Sequence, residues 1–348
     1  MSSSTSSSDV PSWARFFRRA TATAAAGCFA LFGFVALVDP WGVLPFSFPA
    51  ERPPVSTNAR YAFAGLARSD RFDAAIIGTS TSRMLIPKDL NGPFGARFAN
   101  LAMNAATAYE QSRIFEVFLR HQAAPRAVII GLDEVWCQQG PLQRFTPRPF
   151  PEAFYAVSPW PAYRELLSFY ALQEAVKQAA VMTGLMAPPY GRDGYTRFLP
   201  PEERYDAARV VASLPPLPAE TGHQIDTPPS VVHFPPLDLL ERMVAATPGE
   251  TRLVLMFMPL WLGAQATPGT LKAATTAACK QRVEEIARAR PGTVVMDFLR
   301  ASAITREPTN YWDPLHFRDA VAVQIMRHLG GVAVGVAVGG EDYALLAP

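Results

Sequence analysis

The stretch Ala20–Val38 constrains this chain more than any other, with 19 consecutive uncharged and mostly apolar residues. As a helix rising 1.5 Å per residue it is about 29 Å long, close to the hydrocarbon thickness of a bilayer. It opens after Arg15, Arg18 and Arg19 and closes at Asp39-Pro40-Trp41, where a charge, a helix breaker and an interfacial type of aromatic coincide. By the positive-inside rule the arginines keep the N-terminus in the cytoplasm. Residues 1–19 therefore read as a cytoplasmic tail and 20–38 as a transmembrane signal anchor. A cleaved signal peptide competes with this reading, but Val35-Ala36-Leu37-Val38 is too bulky for a small-x-small cleavage site. A buried core helix is a third reading, and the three flanking arginines speak against it. The expectation is a single-pass protein of the inner (cytoplasmic) membrane with its domain periplasmic or extracellular.

The rest has the composition of a packed domain. Charged residues make up 18% of the 348 and the net charge is +2, so a disordered chain and a nucleic-acid binder working by bulk charge are both excluded. Three widely spaced cysteines exclude a zinc ribbon or a disulfide scaffold, and neither metal nor cofactor is expected. Cys28 falls inside the span. Cys137 and Cys279 are then the only pair able to oxidise outside, and two separate buried thiols are expected of them. Residues 1–12, mostly Ser and Thr, read as a disordered tail. The prolines between 45 and 54 read as a stiff linker, which sets 39–60 apart from a domain at 61–348.

Within that domain short apolar runs alternate with amphipathic ones. Strands are predicted at 73–78, 97–103, 127–131, 252–258 and 293–298, and helices at 109–122, 272–289 and 319–329. Strands that are apolar throughout and separated by helices predict an α/β fold with a parallel sheet covered on both faces. Residues 137–236, rich in Pro, Tyr and Phe, interrupt the alternation and read as an inserted lid or a partner surface, with a helix within 159–182. The glycine-rich stretch after Gly330 is too short to span a membrane and reads as a late strand or a packed tail.

Sheets of this kind place their sites beyond the carboxyl ends of the strands. Those ends carry Gly78-Thr79-Ser80-Thr81-Ser82-Arg83, then Asn100 to Thr107, then Gly131-Leu132-Asp133-Glu134. Far along stands Asp313-Pro314-Leu315-His316. The spacing Asp-x-x-His lets one loop present an imidazole and the carboxylate that holds its tautomer. A serine at a strand-to-helix turn sits where backbone N–H groups favour developing negative charge. Either element alone has an ordinary reading, as a helix cap or a turn; together and in this order they describe a serine acyl-transfer site. Ser82 is the reserve nucleophile, Arg83 reads as a surface arginine, and Asp133 with Glu134 reads poorly as a metal or acid–base pair because adjacent residues face apart.

This arrangement resembles the SGNH (GDSL-type) hydrolase superfamily. The resemblance implies a flavodoxin-like three-layer α/β/α fold, with Ser80, Asp313 and His316 as catalytic residues. It also implies an oxyanion hole drawn from Ser80, Asn104 and Ala105, where Ala105 stands for the family's usual glycine. The family's third block is Gly-x-Asn-Asp; here Asp133 replaces the asparagine, and an ionised carboxylate cannot donate to an oxyanion. A single N-terminal anchor before such a domain is similar to membrane-tethered SGNH-like proteins associated with bacterial cell-surface polysaccharide O-acetylation. The function implied is an acyl hydrolase or O-acyltransferase acting on acyl esters of envelope glycans. An acylated carbohydrate or acyl donor would be its substrate and a membrane-bound acyltransferase its partner. The alternatives are a catalytically silent glycan-binding or scaffold protein and a simple carboxylesterase or lipase. Trp160, Tyr163, Tyr170, Tyr190 and Tyr195 read as lid core, with stacking on sugar rings as the alternative.

Overall fold

The structure, a computed structural model, describes residues 13–45, 52–218, 232–336 and 339–347; the Ser/Thr tail lies outside these. The first helix, α1 (Trp13–Val38), is long and apolar enough to cross a membrane. Its residues are exposed as far as Gly33, after which Val35 and Val38 are buried in the domain. The chain does not then stand off. Asp39 is fully buried and its carboxylate accepts the backbone N–H groups of Val43 (3.1 Å) and Leu44 (2.8 Å). Trp41, expected at the membrane interface, is instead buried against the rings of Tyr61, Phe154 and Tyr170. Val55 and Ser56 are buried as well, so the described parts of 39–60 are packed rather than acting as a spacer. An aromatic too large to leave in water found an intramolecular partner that the sequence did not reveal.

Six strands form one sheet: β1 (Ala74–Ile77), β2 (Phe98–Asn100), β3 (Ala127–Leu132), β4 (Arg252–Phe257), β5 (Thr293–Asp297) and β6 (Ala344–Ala347). Their order is β2-β1-β3-β4-β5-β6, parallel except for β6, which runs antiparallel to β5. The five predicted strands all form. The described part of the glycine-rich stretch does not form the late strand expected of it: its first residues continue the last helix, and β6, which lies beyond it, was not read from the sequence.

Alternate residues of each strand enter different cores. Ala75, Ile77, Val128, Ile130, Leu253 and Leu255 join one, while Ala74, Ile76, Ile129, Val254 and Met256 join the other. Both faces are therefore dry, which is why the strands are apolar without alternation. The first core is covered by α2 (Ala59–Ala67), α4 (Ala108–His121), α9 (Pro235–Ala246) and α10 (Leu271–Arg288); the second by α3 (Pro87–Phe94) and α12 (Asp319–Ala333). The inserted region carries α5 (Glu152–Tyr155), α6 (Trp160–Glu165), α7 (Phe169–Met182) and α8 (Ala207–Ser213). The helix predicted within 159–182 is thus two, broken before Ser168, whose hydroxyl caps α7 by accepting the Ala171 N–H. A short helix α11 (Ala303–Arg306) precedes the loop that leads to α12.

Cys137 and Cys279 do not stay as separate thiols. They form a disulfide, Cα–Cα 5.5 Å, tying the loop after β3 to α10 across 142 residues of sequence. Spacing could not reveal this, because the contact is made by the sheet order that sets α10 beside the end of β3. Reduction is expected to lower stability by about 2–4 kcal/mol, since a long loop regains its freedom in the unfolded chain. Thermal unfolding with and without a strong reductant checks this; an unchanged midpoint would count against it.

Candidate active site

The strand order reverses direction between β1 and β3, and the segments leaving these two strands meet there. After β1, Gly78 takes φ +154°, and a Cβ on it would collide with Ser82 Oγ; one on Gly131, at the end of β3, would do the same. Only two glycines leave room for this turn to fold against β3. Ser82 itself is fully buried and its hydroxyl has no partner, so the reserve nucleophile is ruled out by access. Ser82→Ala is expected to leave reactivity at the site intact and to change stability by less than about 1 kcal/mol, because an unpaired hydroxyl contributes little. Peptide mapping of a labelled variant and its unfolding midpoint test both parts.

Ser80, between the two threonines, keeps part of its surface open. Its Oγ lies 2.8 Å from His316 Nε2, a residue 236 positions away. His316 Nδ1 lies 2.7 Å from Asp313 Oδ2, and the other carboxylate oxygen accepts the backbone N–H groups of Leu315 (2.8 Å) and His316 (2.9 Å). The loop is closed by the Trp312 N–H donating to the His316 carbonyl (2.8 Å), and Tyr311 bridges Phe317 at its base. Partial burial alone would push the Asp313 carboxyl up. The hydrogen bond and charge of His316 with the two backbone N–H groups outweigh it and hold the carboxyl below its ordinary value. The three predicted catalytic residues are thus brought into one relay, each within hydrogen-bond reach of the next.

Asp133 serves the turn from the other side. The Thr79 and Thr81 hydroxyls both donate to its carboxylate, Thr81 at 2.8 Å. Burial pushes this carboxyl up, while the two hydroxyls and the nearby His316 pull it the other way. Where the resemblance implies an amide donor, this chain has an acceptor that clamps the residues flanking Ser80. Glu134 is exposed and pairs with Lys272 at the surface (3.6 Å), so it shares nothing with Asp133.

The segment after β2 supplies the other side of the site. Asn104 Oδ1 accepts from Arg83 Nη1 at 2.8 Å; because arginine only donates, this contact fixes which end of the amide is oxygen and leaves Nδ2 as the donor. Arg83 is not on the surface. It is buried between the rings of Tyr190 (5.5 Å) and Phe198 (5.1 Å), and burial pushes its guanidinium down. Phe198 in turn meets the His316 ring edge-on at 5.5 Å. Ala105 takes φ +51°, the left-handed region that glycine occupies freely, at a cost of about 1 kcal/mol for a residue with a Cβ. The Asn104 and Ala105 carbonyls accept from Arg60 (3.3 and 3.5 Å) and Asn104's also from Arg148 (2.6 Å), which turns these peptides so that their oxygens face the arginines.

Two supporting residues, Arg60 and Glu110, escaped the sequence reading, and a third, Asn100, was read only as the start of a polar segment. Asn100, fully inside the sheet end, donates to the Ser82 (3.1 Å) and Leu85 (2.9 Å) carbonyls and so fixes the segment after Ser80. Arg60 and Glu110 form a buried pair, with Nε to Oε1 at 2.9 Å. The polar character of Asn100 at the end of an apolar strand was a usable cue; nothing local marks Arg60 and Glu110, 50 positions apart. Of the lid aromatics, Tyr190 is buried and Tyr170 bonds Ser56 (2.9 Å), so both serve as core; Trp160 is exposed. A cavity of about 620 Å³ beyond the ends of β3 and β4 is lined by Asp133, Phe257 and Lys280 but by no residue of the relay. Among the described residues no cluster of His, Cys, Asp and Glu is arranged to hold a metal. No family model matches the chain, and no curated protein is similar enough to match it, so the site's own geometry decides what it can do.

Proposed function

We propose that this chain is a membrane-anchored SGNH-type acyl hydrolase or O-acyltransferase that works through an acyl-enzyme on Ser80, with acyl esters of envelope glycans as substrate class. The observation that carries the reading is the relay Ser80–His316–Asp313 with spacings of 2.8 and 2.7 Å at the switch point of a parallel sheet. In this mechanism His316 Nε2 takes the Ser80 proton as Oγ attacks the ester carbonyl, and Asp313 holds the Nδ1–H that makes Nε2 the acceptor. The imidazolium then gives its proton to the leaving alkoxide. Water or a sugar hydroxyl takes the acyl group in the second half by the reverse proton path. The Ser80 and Ala105 N–H groups and the Asn104 amide are the oxyanion donors, replacing the missing asparagine of the third block. The sheet order 2-1-3-4-5 supports a flavodoxin-like core. The Cys137–Cys279 bridge supports an oxidising compartment and hence, with Arg15, Arg18 and Arg19 before the span, a periplasmic or extracellular domain.

Two observations favour a second reading. Asp133 and the Thr hydroxyls are spent on each other, and Ala105 occupies a glycine conformation, so a catalytically silent glycan-binding or scaffold protein is the rival. The full chain in detergent, treated with a fluorophosphonate and read by intact mass and peptide mapping, separates the two. An adduct on Ser80 that disappears in His316→Ala is the expected result. A folded chain that forms no adduct and turns over neither p-nitrophenyl acetate nor acetylated oligosaccharide would overturn the enzyme reading.

A further inference from the structure

The anchor helix is too short where it is free. Arg15, Arg18 and Arg19 mark its cytoplasmic end, and the apolar run after them is exposed without a break only from Ala20 to Gly33. Those residues span about 21 Å, against about 30 Å of hydrocarbon. The missing length is the last turn and a half, Phe34 to Val38, and the domain already covers one side of it: Val35 and Val38 are buried, Phe34 and Ala36 are half-buried, Leu37 alone stays exposed, and α7 packs against α1. A run that reaches the far side of the hydrocarbon therefore carries that cover down with it, by about 7 Å, which is the depth of the interfacial layer.

The surface beside that cover has the character this demands. Outside α1, nine large apolar side chains among the described residues are more than half exposed, and six of them fall within 157–185: Val157, Trp160, Leu167, Phe169, Val176 and Leu185. Phe169 and Val176 are two turns apart on one face of α7. No acidic residue is exposed in this segment; Glu165 is half-buried and Glu174 is buried and paired with Lys177 (2.6 Å). Scattered exposed apolar residues need no explanation, but such a concentration next to a spanning helix does.

We propose that the α6–α7 face, residues 157–185, is seated in the interfacial layer of the bilayer that α1 crosses, making the inserted region a second membrane contact. This rests on the membrane-anchor part of the function proposed above. The domain would then be held at a fixed tilt rather than swinging from one helix. The test uses the full chain with Cys28→Ser and one added cysteine, V176C or F169C on the face and L271C as an exposed apolar control elsewhere. Each is labelled with a nitrobenzoxadiazole dye and reconstituted in phosphatidylcholine–phosphatidylglycerol vesicles. Dye at 176 and 169 is expected to be quenched by shallow nitroxide lipids about twofold or more over dye at 271, and shielded from aqueous cobalt. If all three positions respond to cobalt alike while the protein resists carbonate extraction, the anchor stands and this proposal falls. In that case snorkelling arginines or a thinned bilayer make up the length. Cobalt-accessible dye together with release by carbonate would remove the anchor reading and this one with it.

Discussion

A Ser80→Ala chain is expected to take up no fluorophosphonate and to lose acyl-ester turnover by about 10⁴-fold or more. Among the described residues no neighbour replaces the lost oxygen: Ser82 is sealed between Gly78 and Gly131, and the Thr79 and Thr81 hydroxyls are committed to Asp133. Asp313→Asn is expected to cost about 10⁴-fold while leaving the fold intact, because an amide can present its NH₂ to Nδ1 and stabilise the wrong tautomer. Adding His316→Ala to Ser80→Ala is expected to lower turnover no further, since the residues act as a unit. The pH behaviour has a definite sign. The Asp313 carboxyl lies below its ordinary value, so its contribution to stability is present above the ordinary carboxylate range and is lost only as pH falls through the depressed value. Asp313→Asn is expected to lose that dependence and, with the imidazole no longer held in the accepting tautomer, to label slowly at every pH. Initial labelling rates of wild type and Asp313→Asn across pH test this. A variant that labels at the wild-type rate would sink the relay.

The second large effect concerns stability. Arg60→Met is expected to destabilise the chain by about 3–5 kcal/mol, because Glu110 is left charged and without its partner in the interior. Glu110 is also tied to the start of α4: its carboxylate accepts the Thr107 N–H (3.1 Å) while the Thr107 hydroxyl accepts the Glu110 N–H (3.1 Å). The double variant Arg60→Met/Glu110→Leu is expected to recover most of that stability, as apolar replacements of buried pairs often do. Labelling at Ser80 should nevertheless stay slow in the double variant. The Asn104 and Ala105 carbonyls lose the guanidinium that holds Ala105 in its strained conformation and Asn104 in register. Unfolding midpoints in detergent together with labelling rates separate the two roles. Recovery of both in the double variant would reduce Arg60 to a purely structural part.

Much of the framework could be read in the residues because it follows from local pattern. Uncharged length with a flanking positive cluster marks α1, and unbroken apolar runs mark β1 to β5 because both faces of the sheet are covered. Ser80 was legible for the same reason, since parallel sheets collect polar residues at the strand ends, and Asp313 and His316 were legible from their Asp-x-x-His spacing. What went unread is what depends on distant partners. Trp41 looks interfacial until Tyr61, Phe154 and Tyr170 are placed around it, and Arg83 looks like surface until Tyr190 and Phe198 enclose it.

By itself, then, the sequence determined an N-terminal helix long and apolar enough to cross a membrane, the α/β class and which residues compete for chemistry, because each depends on periodicity, length or side-chain type within a short window. Only the tertiary structure decided among the competitors. It closed the Cys137–Cys279 bridge, buried Ser82 and left Ser80 partly open, and made Asp133 the acceptor that clamps the turn carrying Ser80. Each of these depends on which strand ends lie side by side, and that is set by the sheet order rather than by any local preference of the chain.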